Sequence, residues 1–120
     1  MKVVIAGSRN VEDLSLVEKA IAESGFLITE VVSGGARGVD SLAEQWASEN
    51  NIPVRVFKPD WGQYGRRAGP VRNAEMTDYA EALIAVWDGE SKGTNDMIAK
   101  AEKKGLQVFV CHHSNSICFS

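Results

Sequence analysis

The sequence predicts an α/β protein, a three-layer α/β/α sandwich of Rossmann-like type around a five-stranded parallel sheet. Short apolar runs recur along the chain without period-2 alternation, the pattern of strands covered on both faces. Segments of helical period separate them, as strand–helix–strand units require. The 120 residues, 44% hydrophobic and 24% charged, are enough for one core but not two, and exclude a disordered or low-complexity chain.

Lys2–Ala6 (KVVIA) reads as a buried first strand ending at Gly7-Ser8-Arg9. A helix starts near Asp13 or Ser15, where Ser15 and Glu18 have capping-box spacing. It places Leu14, Val17 and Ile21 on one face and ends at Gly25. Phe26–Val32 is the second strand, running into Ser33-Gly34-Gly35-Ala36-Arg37-Gly38. The next helix has the clearest period in the chain, carried by Val39, Leu42, Ala43, Trp46 and Ala47. Pro53–Phe57 is the third strand and Lys58–Gly69 a long polar loop. Pro70 suits the first position of a helix, where its missing N–H has no intrahelical partner to lose. That helix runs to about Ala80, and Ala82–Trp87 is the fourth strand. Thr94 is the expected N-cap of the last helix, with Met97, Ile98 and Ala101 inward and Lys100, Lys103 and Lys104 complementing its C-terminus before Gly105. Leu106–Cys111 is the fifth strand. The domain is thus expected over residues 1–111, with 112–120 a polar tail that frays.

The net charge of −3 leaves no broad basic face for duplex nucleic acid. The longest apolar run near the start, Val3–Ala6, is too short for a signal-peptide core or a membrane span, so no membrane partner is expected. Two cysteines without a targeting segment point to the reducing cytoplasm. The arginines depart from this ordinary picture. Arg9, Arg37, Arg66, Arg67 and Arg72 fall in or beside glycine-containing loops, and only Arg55 does not. Net acidity conceals a local cationic pocket.

In a parallel sheet each strand-to-helix loop emerges at the carboxyl edge, where ligands bind at the reversal of strand order. Four loops therefore converge: Gly7-Ser8-Arg9, Ser33–Gly38, Arg66–Asn73 and Asp88–Thr94. Glycines at 34, 35 and 38 permit close backbone approach beside a helix N-terminus, a setting for an anion; the same run also serves as a tight strand–helix turn. Asp40, in the first helical turn, is either a dipole-favoured acid or a ribose contact. Arg66, Arg67 and Arg72 lie within seven residues, and a phosphate or carboxylate would relieve their repulsion unless Asp60, Glu75 or Asp78 does so. Gly69 and Asn73 belong to the same segment. Trp61 and Tyr64 either pack or stack on a base. Ser8, Ser33, Ser91 and Thr94 offer hydroxyl donors, while Gly34, Gly35, Ala36 and Gly93 offer backbone contacts.

Other chemistries fail on spacing. Gly89-Glu90-Ser91-Lys92-Gly93-Thr94 lacks the Gly-Lys-Ser/Thr ending of a phosphate loop and follows the wrong strand. No histidine accompanies a nucleophile elbow. Cys111, His112, His113 and Cys118 are poor metal ligands, because neighbours on a strand point to opposite faces. No metal or cofactor is expected.

Taken in order, GSRNVED, VVSGGARGVDSLAEQWA, DWGQYGRRAGPVRN, ALIAVWDGESKGT and MIAKAEKKG resemble the YspA-type, cpYpsA-related branch of the SLOG superfamily over residues 1 to about 111. The resemblance implies a Rossmann-like fold, a pocket for a nucleotide or nucleotide-derived ligand, and an occurrence frequent in phages and mobile elements. The superfamily includes the LOG phosphoribohydrolases, which carry Arg-Lys-x-x-Met followed by Pro-Gly-Gly-x-Gly-Thr-x-x-Glu. Here Arg72-Asn73-Ala74-Glu75-Met76 keeps the arginine and methionine of the first motif, but Met97 stands where the second has its glutamate. Methionine cannot handle a proton or stabilise an oxocarbenium-like centre. Asp96 is adjacent but turned roughly 100° away along the helix.

Three functions follow as expectations. The first is binding, sensing or sequestering of a phosphoribosyl-containing small molecule. The second is an N-glycosidase or phosphoribohydrolase, with Arg72 retained and Asp40, Glu44 or Asp88 as the acid. The third is single-stranded DNA binding, as in the DprA branch of the superfamily. A homo-oligomer is expected from the size of the domain.

Overall fold

In a computed structural model of the chain, residues 1–112 are described in full and residues 117–119 by their backbone. Residues 113–116 and 120, most of the expected tail, lie outside the described residues. The elements are β1 (Lys2–Gly7), α1 (Leu14–Ser24), β2 (Glu30–Ser33), α2 (Val39–Glu49), β3 (Val54–Val56), α3 (Trp61–Tyr64), α4 (Ala68–Tyr79), β4 (Ala82–Trp87), α5 (Lys92–Lys103), β5 (Gln107–His112) and β6 (Ile117–Phe119). The strand order is β3-β2-β1-β4-β5-β6. The five expected strands are all parallel, and β6 adds a sixth that runs antiparallel to β5.

The apolar strand runs explain the layers. Period-2 geometry sends alternate residues of each strand to opposite faces, so a continuous apolar run feeds two cores. Val3, Ile5, Val31, Ile84 and Val86 pack with Val17, Ala20, Val39, Ala43 and Ala47 of α1 and α2. Val4, Val32, Leu83 and Ala85 pack on the other face with Met76 of α4 and Met97, Ile98 and Ala101 of α5. Register is fixed across the sheet centre, with Val4 beside both Val32 and Leu83. A one-residue slip would exchange the two cores.

Helix ends follow local chemistry. Asp13 caps α1 by accepting from the Ser15 N–H, so Asp13 rather than Ser15 is the cap, and Gly25 closes the helix in the left-handed region at φ 71°. Other boundaries differ from expectation: β2 begins at Glu30 rather than Phe26, and two helical boundaries shift. The 58–69 segment is largely helical: Asp60 accepts from the Gln63 N–H at 3.1 Å and starts α3, and Gly65–Arg67 forms a 3₁₀ turn leading directly into α4. Pro70 is therefore the third residue of α4, still among the positions whose N–H has no intrahelical partner. The cap of α5 is Ser91, whose Oγ accepts from the Thr94 N–H at 3.4 Å, so Gly93 and Thr94 lie inside the first turn. Ser91→Ala should lower stability by about 1 kcal/mol in urea denaturation.

Cys111 is disulfide-bonded and buried, so the cysteines give no support for a reducing compartment. Of the other residues drawn into a metal set, His113 and the Cys118 side chain lie outside the described residues. No helix among the described residues is long and apolar enough to cross a membrane.

Candidate functional site

The connections from β1 and β4 leave in opposite directions along the sheet, which opens a crevice between the carboxyl ends of these neighbouring strands. Ser8, 1% exposed, ties the crevice together. Its N–H donates to the Val86 carbonyl at 3.1 Å, its carbonyl accepts from the Val39 N–H at 3.2 Å, and its Oγ accepts from the Asp88 N–H at 3.1 Å. Asp88 shapes the next loop by accepting from the Glu90 and Ser91 N–H groups, each at 2.8 Å. Gly38 gives the close approach that α2 needs, with φ 80° and no room for a Cβ beside the Ser8 carbonyl oxygen. These three residues build the walls; none lines either of the two cavities of the crevice.

A small inner cavity of about 60 Å³ lies at the strand-order reversal, lined by Gly7, Arg9, Ala36, Asp40, Arg72, Asn73, Ser91, Gly93 and Thr94, with Ala6, Met76 and Met97. At that size it admits a few waters or a small polar group rather than a whole nucleotide. A wider cavity of about 540 Å³ adjoins it, lined by Arg9, Gly34, Gly35, Ala36, Arg37, Lys58, Pro59, Trp61 and Arg72. Arg9, Ala36 and Arg72 are common to both.

Arg72, in the second turn of α4, is half-buried between the cavities. Its Nη1 donates to the Gly34 carbonyl at 2.5 Å and its Nε to Asn73 Oδ1 at 3.0 Å. Asn73 is held in turn by donating to Asp96 Oδ2 at 3.0 Å and the Gly93 carbonyl at 3.3 Å. The chain of contacts joins α4, α5 and the loop after β2. Burial lowers the Arg72 pKa from its ordinary value, opposed by Asp40 and reinforced by Arg9.

Asp40 is 6% exposed, and its Oδ2 accepts from the Ala36 N–H at 3.2 Å. Burial pushes its pKa up to about 6, against the pull of the Ala36 N–H and the Arg72 guanidinium. The folded chain therefore holds a proton that the unfolded chain, at about 3.8, releases. Stability contributed by neutral Asp40 is present in full below pH 4 and is lost as pH rises through 6, by about 3 kcal/mol in all. Asp40→Asn should remove this fall, which denaturation of both proteins from pH 4 to 7.5 would measure.

Several expected residues stand elsewhere. Arg66 and Arg67 are exposed on the 3₁₀ turn and line neither cavity. Gly69 has open space around it and also lines neither. Ser33 donates to Glu44 Oε2 at 2.7 Å and accepts from the Gly35 N–H, so both side chains brace the loop from behind. Tyr64 is outside the cavities, whereas Trp61 is 56% exposed on the wider one. Asp96 accepts from Lys100 Nζ at 2.5 Å and from Asn73, away from the inner cavity that Met97 lines. Arg37, expected as part of a cationic pocket, lines the wider cavity, and Lys58, not among the expected contacts, joins it there. Lys58 was legible in principle, since it leaves β3 at the same carboxyl edge, and Arg37 sits within the glycine loop itself.

Fold and crevice together define a Rossmann-like α/β protein with an arginine-bearing polar cleft at the carboxyl edge of its sheet. The sequence profile of the YspA, cpYpsA-related SLOG family matches residues 1–64, more than half the chain, and the chain belongs to that family. It is 35% identical over 117 residues to the Gene 61 protein of Mycobacterium phage D29, covering 89% of this chain and 93% of the phage protein. Among solved structures, DNA processing protein A (DprA) from Streptococcus pneumoniae superposes with a TM-score of 0.75 at 20% identity. That likeness covers 92% of this chain and 50% of the DprA chain, so this chain spans half of that protein's length, and it establishes the fold.

Proposed function

We propose that the crevice binds a nucleotide or nucleotide-derived ligand, with a phosphoribosyl group directed at Arg72 and Arg9 and a base toward Trp61. The placement of Arg72 carries this reading. A half-buried guanidinium, held by two acceptors and shared by both cavities, sits where strand order reverses and presents its remaining donors to the cleft. The first turn of α5, with Gly93 and Thr94 on the inner cavity, brings the positive end of a helix dipole to the same side. Family membership agrees with a nucleotide-related ligand. Native mass spectrometry of the purified protein tests this, with a co-purifying or added nucleoside phosphate expected as a discrete mass shift; a chain that takes up none would refute it. The same spectra report whether the chain self-associates.

Asp40 favours a second reading, removal of the base from a bound nucleotide. A buried carboxyl with a pKa of about 6 on the wall of the inner cavity is suited to proton transfer near neutral pH. Base release from nucleoside monophosphates, NAD and ADP-ribose, followed by chromatography, separates the two. Release by the native chain and none by Asp40→Asn supports catalysis; intact ligand throughout leaves binding alone.

A further inference from the structure

The wider cavity carries more positive charge than one phosphate supplies with counter-charge. Arg9, Arg37, Lys58 and Arg72 line it and no carboxylate does. Asp40 faces Arg72 from the inner cavity. Among the described residues, no carboxylate lies within 4.0 Å of Arg9, Arg37 or Lys58. Glu12 borders only a neighbouring recess of about 310 Å³ alongside Arg9 and Arg37. With the Asp40 carboxylate set against Arg72, about three positive charges remain, and a phosphate monoester, with roughly two negative charges at neutral pH, leaves about one of them uncompensated. Unpaired like charges crowded into a cleft repel one another, and a ligand that neutralises them gains what their repulsion costs. The volume of about 540 Å³ is within the ~300–1,000 Å³ of small-molecule sites, and exposed Trp61 supplies an aromatic face on its rim.

Resting on the nucleotide reading above, we infer that the ligand carries at least two phosphates, as a nucleoside diphosphate or an equivalent pyrophosphate-bearing nucleotide. Arg72 engages one phosphate from the boundary of the two cavities. Arg37 and Lys58 engage the other in the wider cavity, and Arg9 stands between them.

Calorimetric titration of the full chain with the mono- and diphosphates of adenosine, guanosine, cytidine and uridine tests this, with a ten-residue oligothymidylate as competitor. In any base series that binds, the diphosphate should bind at least tenfold tighter than the monophosphate. Arg37→Ala and Lys58→Ala should each shrink that ratio at least threefold, whereas Arg72→Ala should weaken both members alike. Arg37 and Lys58 are exposed, so both variants should keep the native melting temperature. Equal affinity for mono- and diphosphate, or a ratio untouched in both variants, overturns the second phosphate and leaves the nucleotide reading standing. Tighter binding of the oligothymidylate overturns it in favour of a phosphodiester chain. Binding of none of these probes overturns both.

Discussion

Arg72→Ala should weaken nucleotide binding by about 100-fold or more, a loss of about 3 kcal/mol or greater. The side chain is half-buried and spans from α4 to the Gly34 carbonyl, so truncation removes both the charge offered to a phosphate and the strut that shapes the cleft. Arg72→Lys separates these roles. Lysine keeps the charge but has one ammonium where arginine has a planar fork, and cannot hold Gly34 and Asn73 while facing a ligand. Its affinity should fall between the other two in the same titration. Native affinity in Arg72→Ala would remove the crevice from consideration as the binding site.

Gly7→Ala should unfold the chain or cost about 3 kcal/mol or more of stability. Gly7 is the last residue of β1, paired with Val86 of β4, and a Cβ there would overlap the Val86 carbonyl oxygen and lie 2.7 Å from Val39 Cγ2. The obstruction is backbone on one side and a buried valine on the other, so no flexible side chain can yield. Gly69→Ala provides the opposite case. Gly69 lies in the first turn of α4 with nothing within 4 Å of the added methyl, and alanine should gain up to about 1 kcal/mol from helix propensity alone. Urea denaturation reads both. A Gly7→Ala protein as stable as the native chain would contradict the packing described at the strand-order reversal.

Much of this architecture is legible in the sequence because its strands are short, apolar and separated by helices of clean period. The Val39–Ala47 repeat placed α2 correctly, and the glycines after β1 and β2 marked the crevice. The 58–69 segment was less legible. Its polarity suggests loop, yet a helix of one turn needs only a cap such as Asp60, and one turn with no buried residue leaves no periodic signature. Arg66 and Arg67 line neither cavity, since proximity in sequence to Arg72 says little once a 3₁₀ turn intervenes. Ser8 illustrates a different limit. Its hydroxyl reads as a ligand donor, but whether it faces the ligand or another loop depends on contacts 80 residues away.

That same serine bears on how fast and how tightly anything can bind. With its three backbone partners, Ser8 joins the ends of β1 and β4 to the start of α2 within the protein itself. Association then spends little ordering entropy on these walls, and the ligand meets a preorganised surface instead of inducing one. On-rates for small ligands should accordingly be set by encounter and charge attraction, with differences between ligands expressed in how quickly they leave.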